Sequence, residues 1–156
     1  MNLKIASFNL FQFCSPSFSF YTKKEKFLPQ DWEEKKVWIK EQILKMNCDI
    51  IGFQEVFSQD ELKALIFDCG YKEFIVVDEP KLDENNQVFK TTTVALASKF
   101  PVKKVEKVLR NDNFTFAREP IKATICLKDD FDITIYVAHL KSNRLNEFEY
   151  KFTQNS

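Results

Sequence analysis

Glycine, histidine and paired cysteines are what this 156-residue chain has least of, with two glycines and one histidine in all. Because a phosphate-cradling loop needs several glycines whose amides approach the ligand closely, the composition excludes a P-loop and a Rossmann dinucleotide site. The four cysteines lie far apart and form no Cys-x-x-Cys pair. With a single histidine beside them, they argue against a zinc site and a redox dithiol, and are typical of small buried side chains in a reducing compartment.

Excess charge of one sign and long hydrophobic runs are absent too. Basic and acidic residues number 23 each, so the formal net charge is zero. Since a domain that holds duplex DNA through counterion release alone has a cationic excess, any contact with a polyanion must be local or supplied from outside this chain. No apolar stretch approaches the length of a membrane span, and Ser7, Asn9 and Gln12 interrupt the N-terminal run, which argues against a signal peptide. We therefore expect a cytoplasmic location.

What is present is the length and composition of one globular domain. Hydrophobic residues make up 44% of the chain and charged residues 29%, which is ordinary for a globular protein. Aromatic residues are abundant at 15%, and most of them are phenylalanine. We predict a single domain over residues 1–156.

The first half of the chain predicts alternating strands and helices. Residues 3–10 alternate as a strand does, and residues 11–30 follow as an aromatic, serine-rich loop. A helix with one apolar stripe is predicted from Asp31, as its N-cap, to about residue 47. Residues 49–57 predict a strand covered on both faces, and a second helix is predicted to start with a capping box formed by Ser58 and Glu61 and to end at Gly70.

The second half predicts strands joined by loops. The predicted strands cover residues 72–77, 92–98, 105–110, 121–127 and 132–139. We interpret the basic run from Lys99 to Arg110 as a solvated edge strand that its lysines protect against pairing. Residues from Ser142 onward are charged and compatible with a helix. Strands and helices in this order favour an α/β layering.

Five segments, in this order, resemble the endonuclease/exonuclease/phosphatase superfamily, which includes pancreatic deoxyribonuclease, exonuclease III-type repair nucleases, sphingomyelinases and inositol polyphosphate phosphatases. They are IASFNL with Asn9, DIIGFQEV with Glu55, VALASKFPV, FAREPIKATI with Arg118, and ITIYVAHLKS with His139. Together they cover residues 3–142. The resemblance implies half of a four-layer α/β/β/α sandwich, with mixed, mostly antiparallel sheet and helices on its outer face.

The chain departs from the family pattern in one respect. Members carry a Gly-Asp-x-Asn segment and a terminal Ser-Asp-His after the His-Leu strand, and neither is found here. The resemblance therefore covers the N-terminal half only, and it implies that the groups that activate the attacking water are missing. We expect residues 1–156 alone to be inactive, and to be poorly folded or self-associated through an uncovered face of the sheet.

Glu55 and Asn9 are the candidate metal ligands. A carboxylate at the end of an apolar strand needs a cationic partner, and Mg²⁺ is a hard ion that takes one or two carboxylates plus water. On residue type alone, an ion pair with Lys or Arg, or solvation, is the favoured explanation of Glu55. Asn9 offers a carbonyl oxygen, directly or through another ligand, although asparagine also begins many loops. The resemblance implies Mg²⁺, with Mn²⁺ as the alternative.

His139, Arg118 and Lys141 are the candidate phosphate-binding residues. A solitary strand histidine is usually a hydrogen-bonded structural residue, whereas the resemblance implies that His139 is catalytic and stabilises charge on the phosphate. Arg118 is either a solvated charge or, as in the deoxyribonuclease branch, a fork that grips a phosphate. Lys141 and Arg144 extend this cationic edge, or belong to the solvated first turn of a helix.

These residues predict a metal-dependent phosphoester hydrolase, with Glu55 and His139 as catalytic residues. The similarity around Arg118 weakly favours a nuclease that acts on DNA. Two alternatives stay open: a phosphatase or phosphodiesterase of a phospholipid or inositol phosphate, and an inactive half-domain that needs a complementary half. Residues 11–27 are capable of base stacking, although hydrophobic anchoring of a long loop is the simpler interpretation.

Overall fold

The computed structural model describes residues 2–111 and 115–141. These ranges contain two helices, α1 (Pro29–Met46) and α2 (Gln59–Asp68). Their nine strands are β1 (Ile5–Phe13), β2 (Ser19–Phe20), β3 (Ile50–Val56), β4 (Glu73–Ile75), β5 (Val88–Phe89), β6 (Thr93–Ser98), β7 (Val102–Glu106), β8 (Ile121–Lys128) and β9 (Phe131–Val137). No helix in the described ranges has the length and hydropathy needed to cross a membrane.

The strands form two main sheets and a short ribbon. The first sheet has the order β1-β3-β6-β4, with β1 parallel to β3 and the other pairs antiparallel. The second sheet has the order β7-β8-β9 and is antiparallel throughout. The ribbon pairs β2 with β5. The predicted fold class, mixed and mostly antiparallel sheet with helices outside, is confirmed.

The outer face of the first sheet packs against both helices. The apolar run of β3 places Phe53 on this face, where it joins one buried cluster with Ile39 and Ile43 of α1 and Leu62 and Ile66 of α2. The residues that each helix contributes to this cluster belong to the apolar stripe that its spacing predicts. Burial of these side chains stabilises the outer layer by roughly 1.5–3 kcal/mol for each large apolar group.

The inner face of the first sheet packs against the second sheet. Leu96 of β6 and Ile50 of β3 form a buried cluster with Ile121 and Ile125 of β8 and Val137 of β9. The expectation of an uncovered inner face is therefore wrong for β3 and β6, because the chain supplies the second sheet itself. Along the edge strand β1 the face stays open, and the side chain of Ile5 is 50% exposed.

Gly52 sets how closely β3 approaches β9. A Cβ atom at this position would lie 3.1 and 3.2 Å from the two methyl carbons of Val137. We expect Gly52→Ala to destabilise the fold by about 1–3 kcal/mol, because the sheets must separate slightly to admit it. Chemical denaturation measures the change, and Val137→Ala introduced into Gly52→Ala should recover part of the loss. Equal stability of Gly52→Ala and wild type would contradict this close packing.

The start of α1 differs from the predicted cap, whereas the start of α2 matches the predicted position without the predicted cap hydrogen bond. Helix α1 begins at Pro29 after the N-cap Leu28, so the prediction of Asp31 as the cap is wrong. Proline suits the first helical turn because its φ is fixed and its missing N–H has no partner to lose, while Asp31 within that turn complements the helix dipole. Ser58 is the N-cap of α2 as predicted, but its side chain makes no cap hydrogen bond. Its Oγ instead accepts a hydrogen bond from the Ser15 amide at 2.8 Å.

Two predicted strands differ from the structure by three residues or more at one or both ends. Strand β1 continues to Phe13 rather than ending at Leu10, because a bulge between Asn9 and Phe13 lets the chain rejoin the ladder and bury Phe13. Strand β7 covers Val102–Glu106 rather than residues 105–110, since its pairing to β8 begins at Val102. It is an edge strand, as predicted, and its lysines pair with acids of the same sheet.

Candidate metal and phosphate site

The site lies where the bulge of β1 meets the end of β3. Parallel pairing places Asn9 opposite Gln54, so Glu55 follows immediately on the neighbouring strand. The Asn9 Nδ2 donates a hydrogen bond to Glu55 Oε1 at 3.3 Å. The structure thus brings together the two residues that the sequence nominates as metal ligands.

The backbone around Glu55 adopts conformations that side chains rarely tolerate. Glu55, Phe11 and Gln12 have φ values of 60°, 49° and 61°, in the left-handed region that favours glycine. Each such residue costs on the order of 1–3 kcal/mol and persists where the surroundings hold it, often at functional sites. Here the holding contacts are known: Asn9 Oδ1 accepts the Phe11 amide at 2.9 Å, and Glu55 Oε2 accepts the Gln12 amide at 2.9 Å. The strained bulge therefore fixes the Glu55 carboxylate.

His139 and Arg118 reach the same place from the second sheet. His139 follows β9, and its Nε2 lies 4.0 Å from Glu55 Oε1. Arg118 Nη1 donates to the carbonyl oxygens of His139 and Leu140 at 3.4 and 3.5 Å. Packing of Val137 over Gly52 brings the end of β9 next to the end of β3. A carboxylate, an imidazole and a guanidinium therefore meet at the junction of the two sheets.

The His139 imidazole is partly withdrawn from water. Burial lowers its pKa below the ordinary value of 6.5, the Arg118 charge lowers it further, and the Glu55 charge opposes both. Its Nδ1 is buried and finds no hydrogen-bond partner among the described residues. A polar atom left so costs about 1–3 kcal/mol, which favours a site completed by a group from outside. Because the pKa of His139 lies below 6.5, its side chain is largely neutral at neutral pH.

Since the chain has one histidine, its titration can be followed without assignment. In metal-free buffer with a chelator, we expect the His139 ring signals in proton NMR to titrate below pH 6.5. Arg118→Ala should raise this pKa because it removes a repelling charge, and Glu55→Gln should lower it because it removes an attracting one. A His139 pKa that responds to neither substitution would contradict the geometry.

The same shift has a consequence for stability. Because the folded-state pKa of His139 lies below the unfolded value, the unfolded chain binds more protons in the interval between them. The contribution of neutral His139 is thus fully present above pH 6.5 and is lost as the pH falls through the folded pKa. His139→Gln should flatten the stability profile in that interval, as measured by denaturant unfolding at several pH values.

Lys35 and Tyr21 also lie near Glu55, and neither was predicted from the sequence as part of the site. The Lys35 ammonium of α1 lies 5.5 Å from the Phe11 ring centroid and 5.2 Å from that of Phe27. Burial lowers the pKa of Lys35, and the Glu55 charge opposes the shift. Tyr21 is the other residue: burial raises its pKa, the charge and hydrogen bond of Arg118 act against that rise, and the Glu55 charge adds to it.

A signal for Lys35 was present in the sequence. Lys35 follows Trp32 by three residues and precedes Ile39 by four, so it lies on the apolar stripe of α1. A lysine on such a stripe is held either by an aromatic surface or by an acid. No comparable signal marks Tyr21, because its approach to Arg118 depends on a contact between distant parts of the chain.

The donor set fits Mg²⁺ in one of its ordinary modes. Among the described residues no cluster of three His, Cys, Asp or Glu side chains is available to a metal, so Glu55 is the charged donor with Asn9 beside it. Mg²⁺ is often held by one or two carboxylates, with water and substrate phosphate completing its octahedron. Each Glu55 oxygen accepts one hydrogen bond and keeps lone pairs for a metal. Asn9 turns its Nδ2 to Glu55, so in this arrangement it orients the carboxylate.

The remaining phosphate-binding candidates are less defined. Lys141 lies two residues beyond His139 on an exposed stretch, so its part in phosphate binding stays a prediction. Arg144 and the helix-compatible segment from Ser142 lie outside the described residues.

Comparison with solved structures decides which fold this is. The chain is similar to an endonuclease/exonuclease/phosphatase from Beutenbergia cavernae, with a TM-score of 0.61, 15% identity, and coverage of 90% of this chain and 39% of the other. It is also similar to the human Nocturnin catalytic domain with bound sulfate, with a TM-score of 0.57, 25% identity, and coverage of 80% and 50%. The chain has part of the endonuclease/exonuclease/phosphatase fold.

The sequence resemblance to this fold is confirmed, and its extent is limited. The chain spans half or less of the length of these two structures. No family model matches the chain, and no curated protein is significantly similar to it. The fold is therefore established by shape, and the activity has to be argued from the residues of the site.

Proposed function

We propose that this chain forms the metal- and phosphate-binding half of a metal-dependent phosphoester hydrolase. The observation that carries the proposal is the meeting of Glu55 with Arg118 and His139 at the junction of the two sheets. A carboxylate that attracts a divalent cation, next to two groups that attract phosphate oxygens, is the arrangement that phosphoryl chemistry requires. Membership of a fold that hosts such enzymes is consistent with it.

Each residue has a role in this proposal. Glu55, oriented by Asn9 and by the Gln12 amide, would hold Mg²⁺ or Mn²⁺, an ion that polarises a phosphoryl oxygen and neutralises the leaving oxygen when bound. Arg118, whose Nη1 donates to the carbonyls of His139 and Leu140, would present remaining donors of its planar fork to a phosphate. His139 Nε2 donates a hydrogen bond to a phosphoryl oxygen while its Nδ1 accepts from outside the described residues. Activation of the attacking water is assigned to groups beyond this chain.

DNA is the proposed substrate. The FAREPIKATI segment around Arg118, which resembles the deoxyribonuclease branch, supports this choice. With a formal net charge of zero, the chain relies on local contacts to phosphates rather than on a general positive field. The sulfate bound by the Nocturnin domain is a tetrahedral anion of phosphate shape, which supports an anion site in this fold.

Hydrolysis assays test the proposal. A polypeptide in which these residues are part of the whole fold should cleave plasmid DNA in Mg²⁺, and both a chelator and Glu55→Gln should abolish cleavage. Residues 1–156 alone should bind Mg²⁺ and show no cleavage above the Glu55→Gln variant. Cleavage of a phospholipid or an inositol phosphate in place of DNA would favour the alternative substrates. Cleavage by residues 1–156 above that control would overturn the assignment of water activation to groups beyond this chain.

A further inference from the structure

Phe11 is a large aromatic side chain exposed beside Glu55. Its side chain is 68% exposed, although its neighbour two residues on, Phe13, is fully buried. Phe11 belongs to none of the three apolar clusters formed by the described residues. Phe13 therefore anchors this stretch of chain in the core, whereas the Phe11 side chain lies outside the buried clusters.

Phe11 also has a strained backbone conformation. Its φ of 49° is left-handed, which is unusual for a bulky side chain, and Gln12 after it shares that conformation. The amides of these two residues bind Asn9 and Glu55, so the strain is held by the candidate metal ligands themselves. The bulge that orients the carboxylate thus also presents the ring.

Lys35 fixes the position of the ring. Its ammonium lies over the Phe11 ring at 5.5 Å from the centroid, and it also contacts Phe27, which packs against the buried clusters. A cation over a ring attracts it by about 0.5–1 kcal/mol at an exposed site. With Phe11 68% exposed, much of its surface stays accessible beside this contact. The result is an oriented aromatic plane with positive charge on one side and the Glu55 carboxylate nearby.

We propose that Phe11 is a stacking platform for a base next to the scissile phosphate, with Lys35 adding positive charge for the backbone. This inference rests on the proposed function and deepens it, because it makes the substrate a nucleotide chain. Stacking on an aromatic side chain beside a cation is the usual way to hold single nucleotides irrespective of sequence. A lipid surface needs a continuous apolar patch, whereas the contacts of Phe11 at the site are polar: its amide donates to Asn9 and the Lys35 ammonium lies over its ring.

A fluorescent dinucleotide tests the platform. With residues 1–156 in Mg²⁺, 2-aminopurine dinucleotide should be quenched on binding, and Phe11→Leu should weaken its affinity by about fivefold to 150-fold, the range expected for one lost stacking contact. Phe11→Trp should retain both affinity and quenching. The matched control is Phe67→Leu, which removes a 45% exposed phenylalanine that also has a lysine, Lys63, over its ring at 5.7 Å. That control should leave binding unchanged.

The outcomes separate this inference from the proposed function. A base-free probe, ribose 5-phosphate, should bind wild type and Phe11→Leu equally, and Mg²⁺ affinity should be the same in both. Loss of nucleotide affinity in Phe67→Leu as in Phe11→Leu, or none in either, would overturn the platform while the Glu55 metal site still stands. Weaker binding of Phe11→Leu to phosphatidylserine vesicles, with nucleotide binding intact, would overturn it in favour of a lipid. Absence of Mg²⁺ binding in wild type would overturn the proposed function instead.

Discussion

Glu55→Gln is expected to abolish measurable Mg²⁺ and Mn²⁺ binding by residues 1–156. The substitution keeps the shape of the side chain and one of its oxygens. It removes the negative charge of the candidate metal ligand. It also replaces an acceptor with an NH₂ group, which faces either the Asn9 Nδ2 or the Gln12 amide. Two N–H groups then face each other and neither has an acceptor. The bulge of β1 therefore loses a hydrogen bond that offsets its strained backbone.

Calorimetric titration with Mn²⁺ measures this effect. Glu41→Gln, an exposed acid on α1, is the matched control and should leave the affinity unchanged. Asn9→Ala should give an intermediate result, about a 10- to 100-fold loss, as is usual when a residue that orients a ligand is removed. Equal affinity of Glu55→Gln and wild type would place the metal elsewhere and remove the basis of the proposed chemistry.

Leu96→Ala is expected to destabilise the chain by about 2–5 kcal/mol. Leu96 is fully buried between the two sheets, so truncation leaves a cavity that the neighbouring Ile50, Ile121 and Ile125 cannot fill without moving. A domain of this size is stable by roughly 5–15 kcal/mol, so the loss is a large part of the total. The prediction tests whether residues 1–156 form the inner layer by themselves.

Urea denaturation compares this variant with Leu109→Ala, the same substitution at a leucine that is 93% exposed. The control should shift the unfolding midpoint little. An equally small shift in Leu96→Ala would mean that the two sheets do not pack in solution. Sedimentation velocity on the same samples tests the expected self-association. The inner face of the first sheet is open along its edge strand β1, so a second copy can contact it there.

The local elements were predictable because their signals are short-range. The apolar run of β3 and the stripe of Trp32, Ile39 and Ile43 on α1 depend on neighbours a few residues apart. The position of Glu55 at the end of β3 follows from where that run stops. Parallel pairing of β1 and β3 then brings Asn9 next to it, whereas the metal-binding role of both residues stays a prediction.

Other features were not predictable because they depend on distant contacts. Nothing near Leu10 indicates that β1 continues through two left-handed residues, since the acceptor that holds the Gln12 amide is the Glu55 carboxylate, 43 residues away. The sequence likewise predicts a strand that ends near His139 without indicating which sheet it joins. The cover of the inner face was missed for this reason.

The amino-acid sequence by itself determined the helices, most of the strands, the mixed α/β layering and the residue types available for phosphate chemistry. Tertiary structure decided which of these residues come together. His139 lies beside Glu55 because Val137 packs against Gly52, which has no Cβ to hold the two sheets apart. Tertiary structure likewise exposed Phe11 and placed Lys35 over it. The reason is physical: periodicity fixes which face of an element is apolar, whereas only packing selects which distant face meets it.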